Sequence, residues 1–235
     1  MRTYIILCIS LLAHLALAQA PNSSQRSIKA IAENEAALET ALSTKGMALG
    51  DPIFMRIFKE TNELEVWVQP SDAEKFQLFK TYEICYYSGE LGPKTQQGDG
   101  QSPEGFYFIN AGRFNPWSSF HLSLNMGYPN AYDRSKGYTG NYLMIHGSCV
   151  SIGCYAMTDE GIEEIYTLAH KAIENGQRFF RVHSFPFRMT DQKMEDNADH
   201  PWINFWENLK TGYDWFEEKG LPPNVNVNQG LYVFN

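Results

Sequence analysis

The stretch Met144-Ile145-His146-Gly147-Ser148-Cys149-Val150-Ser151-Ile152-Gly153-Cys154-Tyr155-Ala156-Met157-Thr158 decides how this chain is read. His146 closes a short apolar run that reads as a strand, and Cys154 follows eight residues later. Thr158 then caps a predicted helix reaching about Glu174, with Asp159, Glu160, Glu163 and Glu164 on its favourable N-terminal side. An imidazole can take the proton of a thiol, and the thiolate so formed attacks a carbonyl. Gly147 and Gly153 let the backbone turn tightly and bring N–H groups near a substrate oxygen. The positive end of the following helix favours the thiolate, weakly at this distance. On the residues alone, three readings stay open. A structural reading pairs Cys149 or Cys154 with Cys85 and makes His146 a hydrogen-bonded core residue. A metal reading takes His146, Cys149 and Cys154 as ligands, but it lacks a fourth ligand and the usual close cysteine spacing. The third reading is a Cys154 nucleophile with His146 as its base.

Outward from this stretch the chain alternates between two periods. Ser27 to Leu42 places Ile28, Ile31, Leu38 and Leu42 at helical spacing, and Gly46 to Pro52 breaks the helix. Ile53–Phe58, Leu64–Val68 and Phe76–Tyr86 read as strands, with a turn at Thr61-Asn62. A loop rich in Gly and Pro runs from Ser88 to Gly105. Phe106–Ile109 and Tyr142–Ile145 are predicted as two further strands, separated by an irregular stretch, Asn110 to Asn141, that suggests a lid or binding wall. Arg178–His183 returns as a strand, Trp202 to Phe216 as a helix, and Asn224 to Phe234 as a hairpin turning at Asn228-Gln229-Gly230. There is no internal repeat.

Composition bounds the partners. The 235 residues include 19 Lys+Arg against 27 Asp+Glu, a net charge of −8. That balance argues against a nucleic-acid backbone or an anionic membrane as main partner. Four cysteines are too few for a disulfide scaffold. Met1-Arg2 followed by the apolar run Tyr4 to Leu17, with small residues around Ala18 and Ala20, has the layout of a secretory signal peptide over residues 1–20. No later segment is long and apolar enough to span a bilayer, so no membrane span is expected in the mature chain. Cleavage would remove Arg2 and Cys8, bringing the net charge to −9 and leaving Cys85, Cys149 and Cys154. An odd count in an exported chain suggests one pair and one free thiol.

His146-Gly147 with Ser151-Ile152-Gly153-Cys154 resembles the H-G…S-x-G-C signature of the L,D-transpeptidases, the YkuD-type catalytic domain that acts on bacterial peptidoglycan. Ser102-Pro103-Glu104-Gly105-Phe106-Tyr107 is similar to that family's T-P-x-G-x-F segment. The resemblance is most extensive for the YafK/DpaA-like branch. It takes in Ile84–Gly89, Leu91–Lys94, Gly127–Arg134, Tyr142–Thr158 and Pro186–Asp191, and spans most of Pro52 to Pro223. It implies a mixed α/β, β-rich fold: a YkuD-like β-sandwich catalytic domain with an N-terminal helix and a C-terminal helical appendage. The corresponding division is a linker and helix over 21–50, the catalytic domain over 51–190, and a helix and tail over 191–235.

By the same resemblance Cys154 is the catalytic nucleophile and His146 the general base. Gly147 would orient the imidazole through its carbonyl, and the N–H groups of Gly153 and Cys154, supported by Ser151, are oxyanion-hole candidates. With Cys154 so assigned, Cys85 and Cys149 are left as the disulfide pair. Tyr132 and Arg134, among the tyrosines and Asn130 of the irregular stretch, are substrate-binding candidates, as is Lys94. Tyr128 and Tyr138 are potential members of the same wall. The remaining histidines, His121, His170, His183 and His200, have no cysteine or carboxylate pattern around them.

Two departures matter. Most members of the family have a longer His-to-Cys stretch, a second histidine where Ile152 stands, and Arg or Asn where this chain has Ala156. These changes put ordinary cross-linking in doubt. The expected function is a periplasmic enzyme that forms a thioester at the L,D centre of diaminopimelate in peptidoglycan stem peptides. The branch favours hydrolysis of the bond that ties Braun-type outer-membrane lipoprotein to peptidoglycan. No metal or organic cofactor and no nucleic acid is implied. The alternatives are a transpeptidase or carboxypeptidase acting on tetrapeptide stems and, in another class, a non-catalytic peptidoglycan-binding module. A thiol reacting only above its ordinary value of about 8.5 would favour the binding module.

Overall fold

The computed structural model describes residues 20–235; the signal-peptide reading and Cys8 lie outside them. The helix α1 (Gln25–Ser43) starts at a capping box, in which Ser24 and Ser27 each accept the other's backbone N–H. The strand β1 (Ile53–Phe58) follows and is buried along its whole length. Its sequence, IFMRIF, explains why: Ile53, Met55 and Ile57 face one core, while Phe54 and Phe58 face another. Arg56 is tolerated on the second face because Glu65 meets its guanidinium at 2.9 Å and Glu217 also pairs with it.

β1 is the middle of a five-stranded sheet ordered β3-β2-β1-β10-β5. Its other members are β2 (Glu63–Val68), β3 (Gln77–Glu83), β5 (Gly105–Asn110) and β10 (Phe179–Phe185). Only the β1–β10 pair is parallel. A second sheet has the order β4-β9-β8-β7-β6, formed by β4 (Tyr86–Tyr87), β6 (Phe114–Asn115), β7 (Ser123–Asn125), β8 (Met144–His146) and β9 (Tyr155–Ala156). Side chains from both sheets, from α1 and from α3 (Asp159–Glu174) share one apolar core, so the mixed α/β fold is a β-rich sandwich with helices laid on it. After the short helix α4 (Asp191–Asp196), the outer face of the first sheet is covered by α5 (Ile203–Lys219) and the hairpin β11 (Val225–Asn228)–β12 (Leu231–Phe234), through a second core that includes Phe185, Trp206 and Leu209. Among the described residues, no helix is long and apolar enough to cross a membrane.

Three expectations change. The predicted strand Phe76–Tyr86 divides, because the chain leaves the first sheet after Glu83 and enters the second at Tyr86. The predicted strand Tyr142–Ile145 begins only at Met144, since Tyr142 adopts a left-handed backbone (φ 55°) that interrupts extension. The stretch Asn110 to Asn141 is not a free lid. It contains β6, β7 and the short helix α2 (Ala131–Ser135), and buries Tyr128 and Tyr132.

Candidate active site

β8 and β9 run parallel, with Ile145 opposite Tyr155 and His146 opposite Ala156. This register brings Cys154, just ahead of β9, alongside Met144. The Met144 N–H donates to Cys154 Sγ at 3.4 Å, and the thiol reaches the Tyr142 carbonyl at 3.7 Å. Alternation along the strands puts His146 and Cys154 on the same face of the sheet. Cys154 is partly exposed and is the free cysteine among the described residues.

His146 is buried, with Phe120 stacked on its ring at 4.8 Å. Its Nδ1 lies 2.6 Å from the Gly147 carbonyl. A carbonyl only accepts, so Nδ1 carries the proton and Nε2 keeps a free lone pair. This is the tautomer a general base needs. Gly147 is fixed in turn: its N–H donates to the Phe120 carbonyl at 3.1 Å, and a Cβ there would lie 2.5 Å from Asp159 Oδ1. That carboxylate accepts the Ser148 N–H at 2.7 Å, so the start of α3 clamps the loop after the histidine.

Burial pushes the His146 imidazole below its ordinary value, with the Gly147 bond opposing. Burial also pushes the Cys154 thiol up, with the Met144 N–H and the charge of Lys94 opposing. Both shifts favour the neutral forms of the two groups. A thiol that alkylates slowly at neutral pH is then compatible with a catalytic role, which removes the force of the alkylation test as a sign of a binding module. The expected kcat/KM profile rises with pH as His146 loses its proton, at a midpoint below about 6.5, and is flat well before the thiol titrates. A limb in the range of an ordinary free thiol, near 8.5, would contradict the neutral pair.

Cys149 is joined to Cys85 by a disulfide, with Cα atoms 5.3 Å apart. A bonded Cys149 has no thiolate to offer, so the metal reading of His146, Cys149 and Cys154 does not fit. The bond pins the 147–153 loop to the point where the chain passes between sheets. Cys85→Ser is expected to lower stability by about 2–4 kcal/mol, because the link closes a long loop. Urea unfolding of oxidised and reduced protein checks this, and equal midpoints would refute it.

The expected oxyanion donors are occupied. Cys154 N–H and Gly153 N–H both donate to Ser151 Oγ, at 2.7 and 3.0 Å, and Gly153 N–H also reaches Ser88 Oγ at 3.0 Å. Ser102 Oγ donates to the Cys154 carbonyl at 2.9 Å, and Ser88 Oγ donates to Ser151 Oγ at 2.9 Å. Three serines distant in sequence thus hold the turn before the thiol, and a substrate oxyanion must share or displace the Ser151 hydroxyl. Ser88 lies in the Ile84–Gly89 stretch of the resemblance, but its role at the turn shows only in the fold, and nothing in the sequence around Phe120 marks it.

The expected binding wall does not form around the tyrosines. Tyr132 is a core residue stacked on Tyr232 at 4.4 Å, and Tyr128 is buried with its hydroxyl donating to the Lys94 carbonyl at 3.1 Å. Arg134 is exposed on α2 and donates to the Pro129 carbonyl. Lys94 is buried and paired with Asp99, so it acts on the thiol by charge rather than as a free cation. His121 does have a carboxylate partner: Glu163, at 2.7 Å. The segments that carry the pair expose apolar Tyr142, Val150 and Ile152, the last 91% exposed, together with the polar Asn141 and Ser148, and Phe120 covers the His146 ring.

The YkuD family, described as an L,D-transpeptidase catalytic domain, matches residues 72–178. The chain is 49% identical over 189 residues to YafK of Escherichia coli K12, whose name assigns it provisionally to the L,D-transpeptidases; the match covers 80% of this chain and 76% of the relative. The protein of the same name from strain O157:H7 gives the same values. Among solved structures, the helical cell shape determining protein Pgp2 of Campylobacter jejuni aligns with a TM-score of 0.46 at 17% identity, covering 80% of this chain and 79% of that one. Bd1075 of Bdellovibrio bacteriovorus aligns with a TM-score of 0.44 at 19% identity, over 76% of this chain and 78% of that one.

Proposed function

The chain belongs to the YkuD family of L,D-transpeptidase catalytic domains, a peptidoglycan-modifying enzyme family, and on that premise we propose that Cys154 and His146 cleave an amide at diaminopimelate by way of a thioester. The observation that carries this is the His146 tautomer: Nδ1 is committed to Gly147, and a basic Nε2 remains on the face that holds the Cys154 thiol. His146 Nε2 takes the thiol proton as Sγ bonds to the amide carbonyl. Collapse of the tetrahedral intermediate breaks the C–N bond, and the imidazolium returns the proton to the departing amine. A thioester remains on Cys154. Water, deprotonated by the same Nε2, then attacks it and releases a carboxylate and the free thiol.

Hydrolysis is favoured over transfer by what stands beside the thiol. Ala156 is fully buried and Ile152 offers no polar group, so neither can orient an incoming ammonium. The exposed apolar rim of Tyr142, Val150 and Ile152 suits a protein-borne leaving group better than a small polar one. The preferred substrate is therefore peptidoglycan carrying a covalently attached outer-membrane lipoprotein, and the working compartment is the periplasm.

Digestion of lipoprotein-bearing and bare sacculi side by side, with the products weighed by mass spectrometry, tests this reading. Released lipoprotein with a free C-terminal amine-bearing residue and no new cross-links is the expected result. New cross-links, or trimming of tetrapeptide stems alone, would assign the enzyme to transpeptidation or carboxypeptidation instead.

A further inference from the structure

A cavity of about 890 Å³ opens on the outer face of the first sheet, where β5 and β10 extend beyond the cover of α5. The register across these strands sets Arg181 opposite Phe108 and His183 opposite Phe106. Residues two apart share a face, so all four side chains stand on the floor of the cavity. The hairpin β11–β12 and α2 form its walls, and neither Cys154 nor His146 belongs to its lining.

Three arginines line this cavity, Arg113, Arg134 and Arg181, and no Asp or Glu side chain does. Each donates only to a neutral oxygen: Arg113 to the Phe108 and Met126 carbonyls, Arg134 to the Pro129 carbonyl, and Arg181 to Asn224 Oδ1 at 2.6 Å. Elsewhere Arg56 and Arg188 are paired with carboxylates, while Arg26 donates to the Ser118 and His121 carbonyls. What sets the three apart is that one cavity gathers them without a carboxylate side chain among them. Arg113 and Arg181 are held in place by aromatic rings, Phe108 at 4.1 Å and Phe179 at 5.2 Å. Gly127 makes room for Arg113, since any side chain at that position would overlap the guanidinium. Burial lowers both guanidiniums from their usual range with no carboxylate opposing.

His183 completes the floor: it is 1% exposed and stands between the rings of Phe54 and Phe106, each 4.7 Å away. Its Nδ1 is sealed from the cavity, so it adds a ring surface to the site and leaves the polar contacts to the arginines. We propose that this cavity is a second binding site, separate from the thiol, for a small ligand bearing a carboxylate or phosphate, its anion held by Arg113, Arg134 and Arg181 and its apolar body laid on Phe108 and Phe179. Charge-assisted, bidentate contacts to guanidinium suit both anions.

Isothermal titration of the full chain at low salt tests the site in two arms. One uses inorganic phosphate; the other uses the free stem tripeptide of peptidoglycan, which supplies carboxylates. Saturable binding is expected in at least one arm, weakening as salt is raised, and the tighter arm identifies the anion. Arg181→Gln and, separately, the surface substitution Arg134→Gln are each expected to weaken it about tenfold or more. Prior alkylation of Cys154 is expected to leave it in place. The proposal is overturned by absence of saturable binding in both arms, by binding indifferent to both substitutions, or by binding that alkylation of Cys154 abolishes. None of these outcomes depends on whether the thiol hydrolyses or transfers.

Discussion

Replacing Cys154 with alanine is expected to remove essentially all amide cleavage, a loss of about 10⁴-fold or more, as when other covalent enzymes lose their nucleophile. The structure makes this prediction sharper than the presence of a cysteine would. Among the described residues Cys154 is the free thiol, and Cys149 is consumed by its bond to Cys85. His146→Ala should cost nearly as much, because Cys and His act as a unit and the double variant should be little worse than either single one. The measurement is release of peptide from sacculi, with intact-protein mass spectrometry of wild type to trap the thioester. Cleavage by Cys154→Ala at even a tenth of the parent rate would sink the covalent mechanism. Since the alanine replaces a partly exposed side chain, unfolding midpoints should hardly change, which separates loss of chemistry from loss of fold.

The largest expected loss of stability lies elsewhere, at a buried ion pair. Lys59 and Glu104 are both fully buried, 3.1 Å apart. Lys59 Nζ also donates to the carbonyls of Glu90, Gly92 and Ser102, at 2.8, 2.9 and 3.1 Å. Glu104 accepts the Gly92 N–H at 2.6 Å and the Trp206 indole N–H at 2.8 Å. One carboxylate thus ties the Gly/Pro loop, the end of β1 and the helix α5 together. Glu104→Gln leaves an ammonium in the core without a counter-charge, and should lower stability by about 3–5 kcal/mol. Burial already holds the Lys59 amine below its ordinary value, and removing Glu104 takes away the main opposing influence. The orphaned amine sheds its proton more readily as pH rises, so the deficit should shrink towards alkaline pH. Urea midpoints of the two proteins across pH check both sign and size. A deficit under about 1 kcal/mol at neutral pH would show that the pair is not needed. The combination Lys59→Met with Glu104→Leu should not restore stability, since it leaves the Gly92 and Trp206 N–H groups and the Glu90 and Ser102 carbonyls without their partners.

The parts of the fold that were legible in the sequence are those whose residues repeat with the period of one element. β1 was readable from IFMRIF, α3 from Thr158 and the acidic turn behind it, and the last hairpin from Asn228-Gln229-Gly230. The breaks were not. A left-handed Tyr142 and the passage between sheets after Glu83 are decided by tertiary contacts, and no local propensity announces them. His146 and Cys154 stand out as candidates through the H-G…S-x-G-C resemblance, and the β8–loop–β9 unit brings them to one face of the sheet. Ser151 stands beside them in the sequence as a supporting candidate, but Ser88 and Ser102 join it at the turn only after folding. Tyr132 and Lys94 leave a surface role for related reasons: a tyrosine can serve a core as well as a surface, and a buried lysine can reach a carboxylate nearer the surface, as Lys94 reaches Asp99. The cavity of arginines was invisible because its three cations come from three separate elements.

Ile152 is held by almost nothing in the fold, although it stands two residues before the thiol. A side chain that contributes so little to folding can be exchanged at almost no cost to stability. Substitutions at this one position are therefore free to accumulate, and each would alter what is offered to an arriving substrate while the reactive pair behind it stays intact. Selectivity in this enzyme can drift or be engineered independently of its catalytic competence, and the loop tip at residue 152 is where a library of variants should begin.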